Sequence, residues 1–391
     1  ERDSSPQNTK DNIFIHSSMA KNALLIGINY PGTAVELRGC VNDVRRMQRC
    51  LIDRFGFSYD DITVLIDTDK SGTQPTGKNI INALETLIRN AESGDTLVFH
   101  YSGHGTRIPT PEGIFDATNF DECITPSDMN LITDNDFRDM LAKVKEGCRL
   151  TIISDSCHSG GLIENVKEQI GESHVMNKPK PENANFLVRF LKNLLAICGR
   201  SSSQIDRGGA RESFTREIES EDGETVTRYL PLDSYISLLE EQTGETGIKY
   251  GKIRQTLVKR FGDDASPRVL SSSMKRNGHR GMFSRILGKQ SEVNTGGGET
   301  GGSSSITENG IFLSGCQTDQ RSEDVYVTRT GKAYGAFSDA IQTVLSQTRK
   351  DKKITNRDMV VKAREILRKQ KFSQRPGLYC HDRFVKQPFI C

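Results

Sequence analysis

The chain has 391 residues, which is room for one large domain or two ordinary ones and enough to bury a core without disulfide or metal staples. Its hydrophobic fraction of 35% rises to about 44% once the 35 glycines are added, near the globular norm, and this excludes global disorder. With 53 Lys+Arg against 51 Asp+Glu the net charge is +2, so bulk electrostatics give no case for nucleic acid or an anionic membrane, and any charge logic is local.

In chain order, residues 1–21 read as a polar tail in which 1–18 show neither the basic start nor the apolar core of a signal peptide. No apolar run approaches the ~20 residues of a membrane span. Nine cysteines, odd in number and without a CxxC pair, read as reduced thiols of a cytoplasmic or nuclear protein and speak against a structural zinc. From 22 to 155, apolar runs alternate with helical patterns: strands at 22–28, 62–66, 95–101 and 149–154, and helices at about 37–54, 79–91 and 134–145. Strands that are continuously apolar belong in a sheet covered on both faces, so the expectation is an α/β domain with a mostly parallel central sheet between helical layers.

Composition changes after Gly171. Residues 175–228 mix Pro and Lys with Ser, Arg and Glu, show no strand pattern, and read as a long linker. Helices are expected at about 230–241 and 251–261, then a loose insert over 268–306 that contains NTGGGETGGSSS. A strand at 310–316, helices at about 333–347 and 355–370, and a short run at 388–391 are expected to complete the first sheet. One lure is the GxxxxGK pattern over Gly72–Lys78. Asn79 stands where a P-loop needs Ser or Thr for Mg²⁺, and the plainer reading is a turn with Thr76 capping the next helix.

In parallel sheets, functional groups gather where strands end at their C-terminal edge. Two such ends stand out: Ser102-Gly103-His104-Gly105 and Asp155-Ser156-Cys157-His158-Ser159-Gly160-Gly161. A cysteine and a histidine on neighbouring strand ends suit nucleophilic catalysis, with Cys157 attacking an acyl carbon as thiolate and His104 moving the proton. The N–H groups of Gly105 and Cys157 are the expected oxyanion donors.

These segments resemble those of a known family. YSGHG (101–105) and SDSCHSGG (154–161) are similar to the histidine and cysteine motifs of caspase-fold cysteine peptidases, specifically metacaspases. LLIGINYPGTAVELRGCVNDV (24–44), LITDNDF (131–137), KEQIGES (167–173), SGCQTDQ (314–320), KAYGAFS (332–338) and PGLYCHD (376–382) resemble plant-type segments, and the long linker resembles the type II architecture. The resemblance implies a caspase-like three-layer αβα sandwich, with a large-subunit-like region at 22–174, the linker at 175–228 and a small-subunit-like region at 229–391. It implies a monomeric endopeptidase that cuts protein or peptide substrates after Arg or Lys, is stimulated by Ca²⁺ and uses no organic cofactor.

By the same resemblance, Cys40, Asp43, Ser102 and Asp155 surround the primary pocket, where two carboxylates would meet a guanidinium. The segment TREIESEDGET (215–225) resembles a self-cleavage segment with Arg216 as the scissile residue, and Arg207, Arg211 and Arg228 are less favoured sites. The linker would then occupy its own cleft until cut. Asp116, Asp134, Asn135 and Asp136, with Asp121 and Glu122 nearby, offer oxygen ligands for Ca²⁺, although Asn135 stands where the family pattern has a carboxylate and lowers the ligand charge. A different class of reading is a caspase-fold scaffold whose dyad is idle.

Overall fold

Alternate side chains of the central strands feed two separate apolar clusters, and this alternation makes the protein a three-layer sandwich. The structure, a computed structural model, describes residues 19–111, 120–157, 167–171, 216–220, 223–276, 310–317 and 320–391, with the backbone alone at 216–220 and 273–276. The chain runs through β1 (Lys21–Gly27), α1 (Cys40–Phe55), β2 (Ile62–Ile66), α2 (Gly77–Arg89) and β3 (Thr96–Ser102). A small antiparallel sheet follows, made of β4 (Gly105–Pro109), β5 (Phe120–Ile124) and β6 (Ile132–Thr133), then α3 (Asp134–Leu141) and β7 (Arg149–Asp155). Beyond these come β8 (Glu168–Ile170), β9 (Arg216–Ser220), β10 (Gly223–Thr227), α4 (Leu232–Thr243), α5 (Ile253–Phe261) and α6 (Pro267–Arg276). The last block holds β11 (Gly310–Ser314), β12 (Glu323–Val327), β13 (Lys332–Gly335), α7 (Ala336–Gln347), α8 (Asn356–Lys369), β14 (Gly377–Cys380) and α9 (Asp382–Val385).

The main sheet has the order β2-β1-β3-β7-β11-β14-β8, parallel from β2 through β11 and antiparallel at β14 and β8. Leu24 and Ile26 of β1, Leu97 and Phe99 of β3 and Leu150 and Ile152 of β7 pack against Ile80, Leu84 and Ile88 of α2. Their neighbours Ala23, Leu25, Val98 and Ile153 face the other way, onto Val44, Met47 and Leu51 of α1 and onto Ile341 of α7 and Val360 of α8. The period of two in the strands and the amphipathic stripes of the helices therefore agree.

Helix ends follow local chemistry. Thr76 caps α2 by accepting the Asn79 N–H, as expected, and Lys78 pairs with Asp264 at 2.7 Å on the protein itself. Gly56 closes α1 in the left-handed region, φ 68°, a conformation that suits a residue with no Cβ.

Three expectations are corrected. The region read as strandless linker contains β9 and β10, which pair antiparallel and join β12 and β13 in a second sheet of order β13-β12-β10-β9. The last block therefore does not simply extend the first sheet: β11 and β14 do, whereas β12 and β13 pair with the linker strands. The insert expected to start at 268 begins inside α6, which runs to Arg276, and Val269 on that helix is fully buried.

Leu25 lies at the centre of this sandwich with no exposed surface. Leu25→Ala is expected to cost about 2–5 kcal/mol, since a buried leucine loses both its transfer energy and its cavity contacts. Denaturant unfolding of the variant against the unsubstituted protein checks the value.

Candidate active site

The parallel register sets the site. Ser102 at the end of β3 lies opposite Asp155 at the end of β7, so the loops that carry His104 and Cys157 leave the sheet side by side. Gly105 is packed so closely on Cys157 that a Cβ there would lie 2.0 Å from the Cys157 carbonyl oxygen. Only glycine fits this contact.

His104 is fully buried and held from several sides. Its N–H donates to the Tyr30 hydroxyl at 3.0 Å, and the two rings stack at a tilt with centroids 4.8 Å apart. Nε2 lies 2.8 Å from the Val35 carbonyl and Nδ1 lies 3.1 Å from the Arg228 carbonyl. Burial lowers the imidazole pKa to about 4 against the opposing pull of those two carbonyls, so the ring is neutral. Both ring nitrogens thus face carbonyl oxygens, and either can carry the single ring proton. Cys157 Sγ accepts the Ser322 N–H at 2.8 Å and lies 3.9 Å from Thr227 Oγ1.

Beside this pair, four fully buried charged groups meet. Arg228, the residue that follows β10, has no exposed surface. Its Nη2 donates to Asp43 and to Asp324, each at 2.8 Å, and its Nη1 donates to Ser102 Oγ and to the Asp155 carbonyl, each at 2.8 Å, with the Asp155 carboxylate 3.4 Å away. The acids are braced in turn. Asp43 accepts the Gly335 N–H at 3.0 Å and the Ser102 hydroxyl at 2.8 Å. Asp155 accepts Ser322 Oγ at 2.6 Å and the Ser338 N–H, in the first turn of α7, at 2.7 Å. Asp324 accepts the N–H groups of Arg38 and Gly39 at 2.9 and 3.1 Å.

Burial drives the pKa of Asp43 up to about 7 although the guanidinium opposes the shift. Arg228 is pushed upward as well, above the usual arginine range. Burial alone would lower it, but Cys40 and the three carboxylates outweigh that. Cys40 lines the same pocket, and burial raises its thiol well above the ordinary value.

The backbone of Arg228 is seated as firmly as its side chain. Its N–H donates to the Ser322 carbonyl at 2.8 Å, its carbonyl accepts the Gly105 N–H at 3.0 Å, and the Leu230 N–H donates to the Gly105 carbonyl at 2.9 Å. One peptide strand thus lies across the ends of β3 and β7 with its arginine in an acidic pocket. The Gly105 half of the expected oxyanion pair points at the Arg228 carbonyl.

The structure brings His104, Gly105, Cys157, Cys40, Asp43, Ser102 and Asp155 together at the ends of β3 and β7. Arg216 opens β9, and the arginine in the pocket is Arg228, which sequence reading ranked among the less favoured. Asp324 was missed. It sits in a polar stretch, Arg321-Ser322-Glu323-Asp324, where nothing local separates it from a surface acid.

The described members of the expected Ca²⁺ set, Asp134, Asn135 and Asp136, already have protein partners. Asp116 lies outside the described residues. Asp136 forms a capping box on α3, with Oδ2 accepting the Thr133 N–H and hydroxyl at 2.9 and 2.7 Å and Oδ1 accepting the Arg268 N–H at 2.8 Å, so its carboxylate serves helix structure instead. Asp134 Oδ1 accepts both the backbone and the side-chain amide of Asn135. Asp121 forms a close ion pair with Arg254. Among the described residues no group of three or more His, Cys, Asp or Glu is placed to hold a metal ion.

This constellation, a cysteine and a histidine on adjacent ends of a parallel sheet beside an arginine-filled acidic pocket, is that of a caspase-like peptidase. The chain matches the family model for the metacaspase peptidase C14 domain over residues 21–166. It is 62% identical to Metacaspase-8 of Arabidopsis thaliana over 392 residues, covering 95% of this chain and 100% of that protein. Metacaspase-7 and Metacaspase-4 of the same plant are 52% and 50% identical, with 95% of this chain and 100% of each covered. The chain belongs to the metacaspase family of cysteine peptidases.

The raised pKa of Asp43 has a consequence for stability. A carboxyl that keeps its proton to about pH 7 when folded, but has a pKa of about 3.9 when unfolded, stabilises the fold below the lower value and loses that contribution as pH rises through the higher one. In the Cys157→Ala background, the Asp43→Asn protein is expected to gain in Tm relative to its Asp43 parent by several degrees as pH goes from 5 to 8. Paired thermal scans across that range check the sign.

Proposed function

We propose that the protein is an endopeptidase that cuts after Arg, and after Lys less tightly held, through Cys157 and His104, and that its first substrate is its own linker at the Arg228–Tyr229 bond. One observation carries this reading: Arg228 fills the acidic pocket while its carbonyl faces the Gly105 N–H and His104 Nδ1 beside Cys157. A guanidinium can bond Asp43 and Asp324 from one nitrogen and Ser102 and the Asp155 carbonyl from the other, a fork that an ammonium cannot reproduce.

His104 Nδ1 takes the Cys157 thiol proton, and the thiolate attacks the Arg228 carbonyl carbon. The carbonyl oxygen, now negative, is stabilised by the Gly105 N–H. Collapse breaks the bond to the Tyr229 nitrogen, which leaves with the proton from His104, and a thioester remains on Cys157. Water, deprotonated by the same imidazole, then releases the new carboxylate at Arg228. Until the cut, the seated strand blocks the cleft to other protein substrates.

Wild-type protein is expected to yield a fragment whose N-terminal residue is Tyr229, and Cys157→Ala none. N-terminal sequencing checks this. A fragment starting at Glu217 would assign the cut to Arg216 instead. Matched fluorogenic peptides ending in Arg, Lys or Asp are expected to turn over in that descending order, with nothing above background from Asp.

A further inference from the structure

The strand that fills the cleft reads more of the protein than the arginine pocket. β10 pairs antiparallel with β12 through Glu224 opposite Tyr326, Thr225 opposite Val325, Val226 opposite Asp324 and Thr227 opposite Glu323. Side chains alternate along such a strand, so Arg228, Val226 and Glu224 share one face. Arg228 and Val226 on that face are buried, Val226 in the main core cluster. Glu224, four residues before the arginine, meets Arg38, with Oε2 3.2 Å from Nη1 and side chains 17% and 39% exposed.

Arg38 is built into the cleft wall. Its guanidinium lies over the Tyr326 ring, 4.3 Å from the centroid, and Tyr326 is the cross-strand partner of Glu224. Its backbone N–H donates to Asp324, the same carboxylate that holds Arg228. The chain ahead of α1 thus joins the acidic pocket for the cleaved residue to a fixed positive charge at the other end of the same strand. A planar guanidinium on an aromatic platform keeps few rotamers to lose when it pairs with a carboxylate.

We infer that Arg38 is a specificity-determining residue that selects, in protein substrates, an acidic side chain four positions before the scissile arginine. The cleft then favours the pattern acidic–x–aliphatic–x–Arg, which the linker presents as Glu-Thr-Val-Thr-Arg over 224–228. The inference rests on the proposed cleavage after arginine.

The test uses processed full-length enzyme and three fluorogenic peptides, acetyl-Glu-Thr-Val-Thr-Arg and its Gln and Lys counterparts at the first residue, each normalised to acetyl-Val-Thr-Arg measured on the same enzyme. For wild type, kcat/KM is expected to fall in the order Glu, Gln, Lys, with about a five- to tenfold span at low ionic strength that narrows in 0.5 M salt, as befits a partly exposed pair. Arg38→Ala is expected to bring the normalised values to within about twofold of one another, and Arg38→Glu to reverse the order. Equal normalised turnover of the three peptides by wild type, or an unchanged order in Arg38→Glu, overturns the inference while leaving cleavage after arginine intact. No turnover of any arginine peptide refutes that cleavage itself, and the role of Arg38 falls with it.

Discussion

Three carboxylates, Asp43, Asp155 and Asp324, converge on one guanidinium in a space closed to solvent, and the surrounding architecture exists to make that tolerable. A buried charge without a partner is among the most costly things a fold can contain. Here one cation cannot neutralise three anions, so the backbone supplies the rest: N–H groups from Arg38, Gly39, Gly335 and Ser338 point at the acids. Part of the imbalance is removed by proton uptake, since Asp43 keeps its proton to about pH 7. Gly335 belongs to this arrangement by its size, because a Cβ there would lie 2.3 Å from Asp155 and 2.5 Å from Arg228.

The dyad depends on the same convergence. Cys157 follows Asp155 by two residues, His104 follows Ser102 by two, and the β3–β7 register that aligns Ser102 with Asp155 also aligns the reacting groups. Arg228 ties side chain to chemistry, its guanidinium reporting that the pocket is filled and its carbonyl set between Gly105 and His104. Specificity and catalysis are thus two ends of one strand-end contact.

What could be read from the sequence was what has a local physical signature. Continuous apolar runs such as ITVLI located β2 to the residue, and Thr76 announced a helix start through the chemistry of its own hydroxyl. His104 and Cys157 were legible because glycines frame them where strands end. The linker strands were not legible: GETVT is a polar segment whose extended form comes from pairing with β12, about a hundred residues later, and EIES is extended by pairing with GETVT in turn. For the same reason no local feature could rank Arg228 above Arg216, because only the register against β12 decides which one reaches the pocket. Asp136 gave the opposite lesson. It looked like a metal ligand because it is an acid among acids, yet the Thr-x-x-Asp spacing already spelled a capping box, and that local bond is what the fold uses.

The walls of the arginine pocket are drawn from distant parts of the chain: the start of α1, the ends of β3 and β7, β12, and the first turn of α7. A ribosome delivers these parts in order, N-terminus first, so the dyad and the linker are made well before Asp324 and Gly335. A growing chain that already carries both reactive groups therefore lacks the walls that would hold an arginine against them. The order of synthesis defers any capacity for arginine-directed cutting until the segment that carries Asp324 and Gly335 has been made, a safeguard that requires no inhibitor and follows only from where the last wall is encoded.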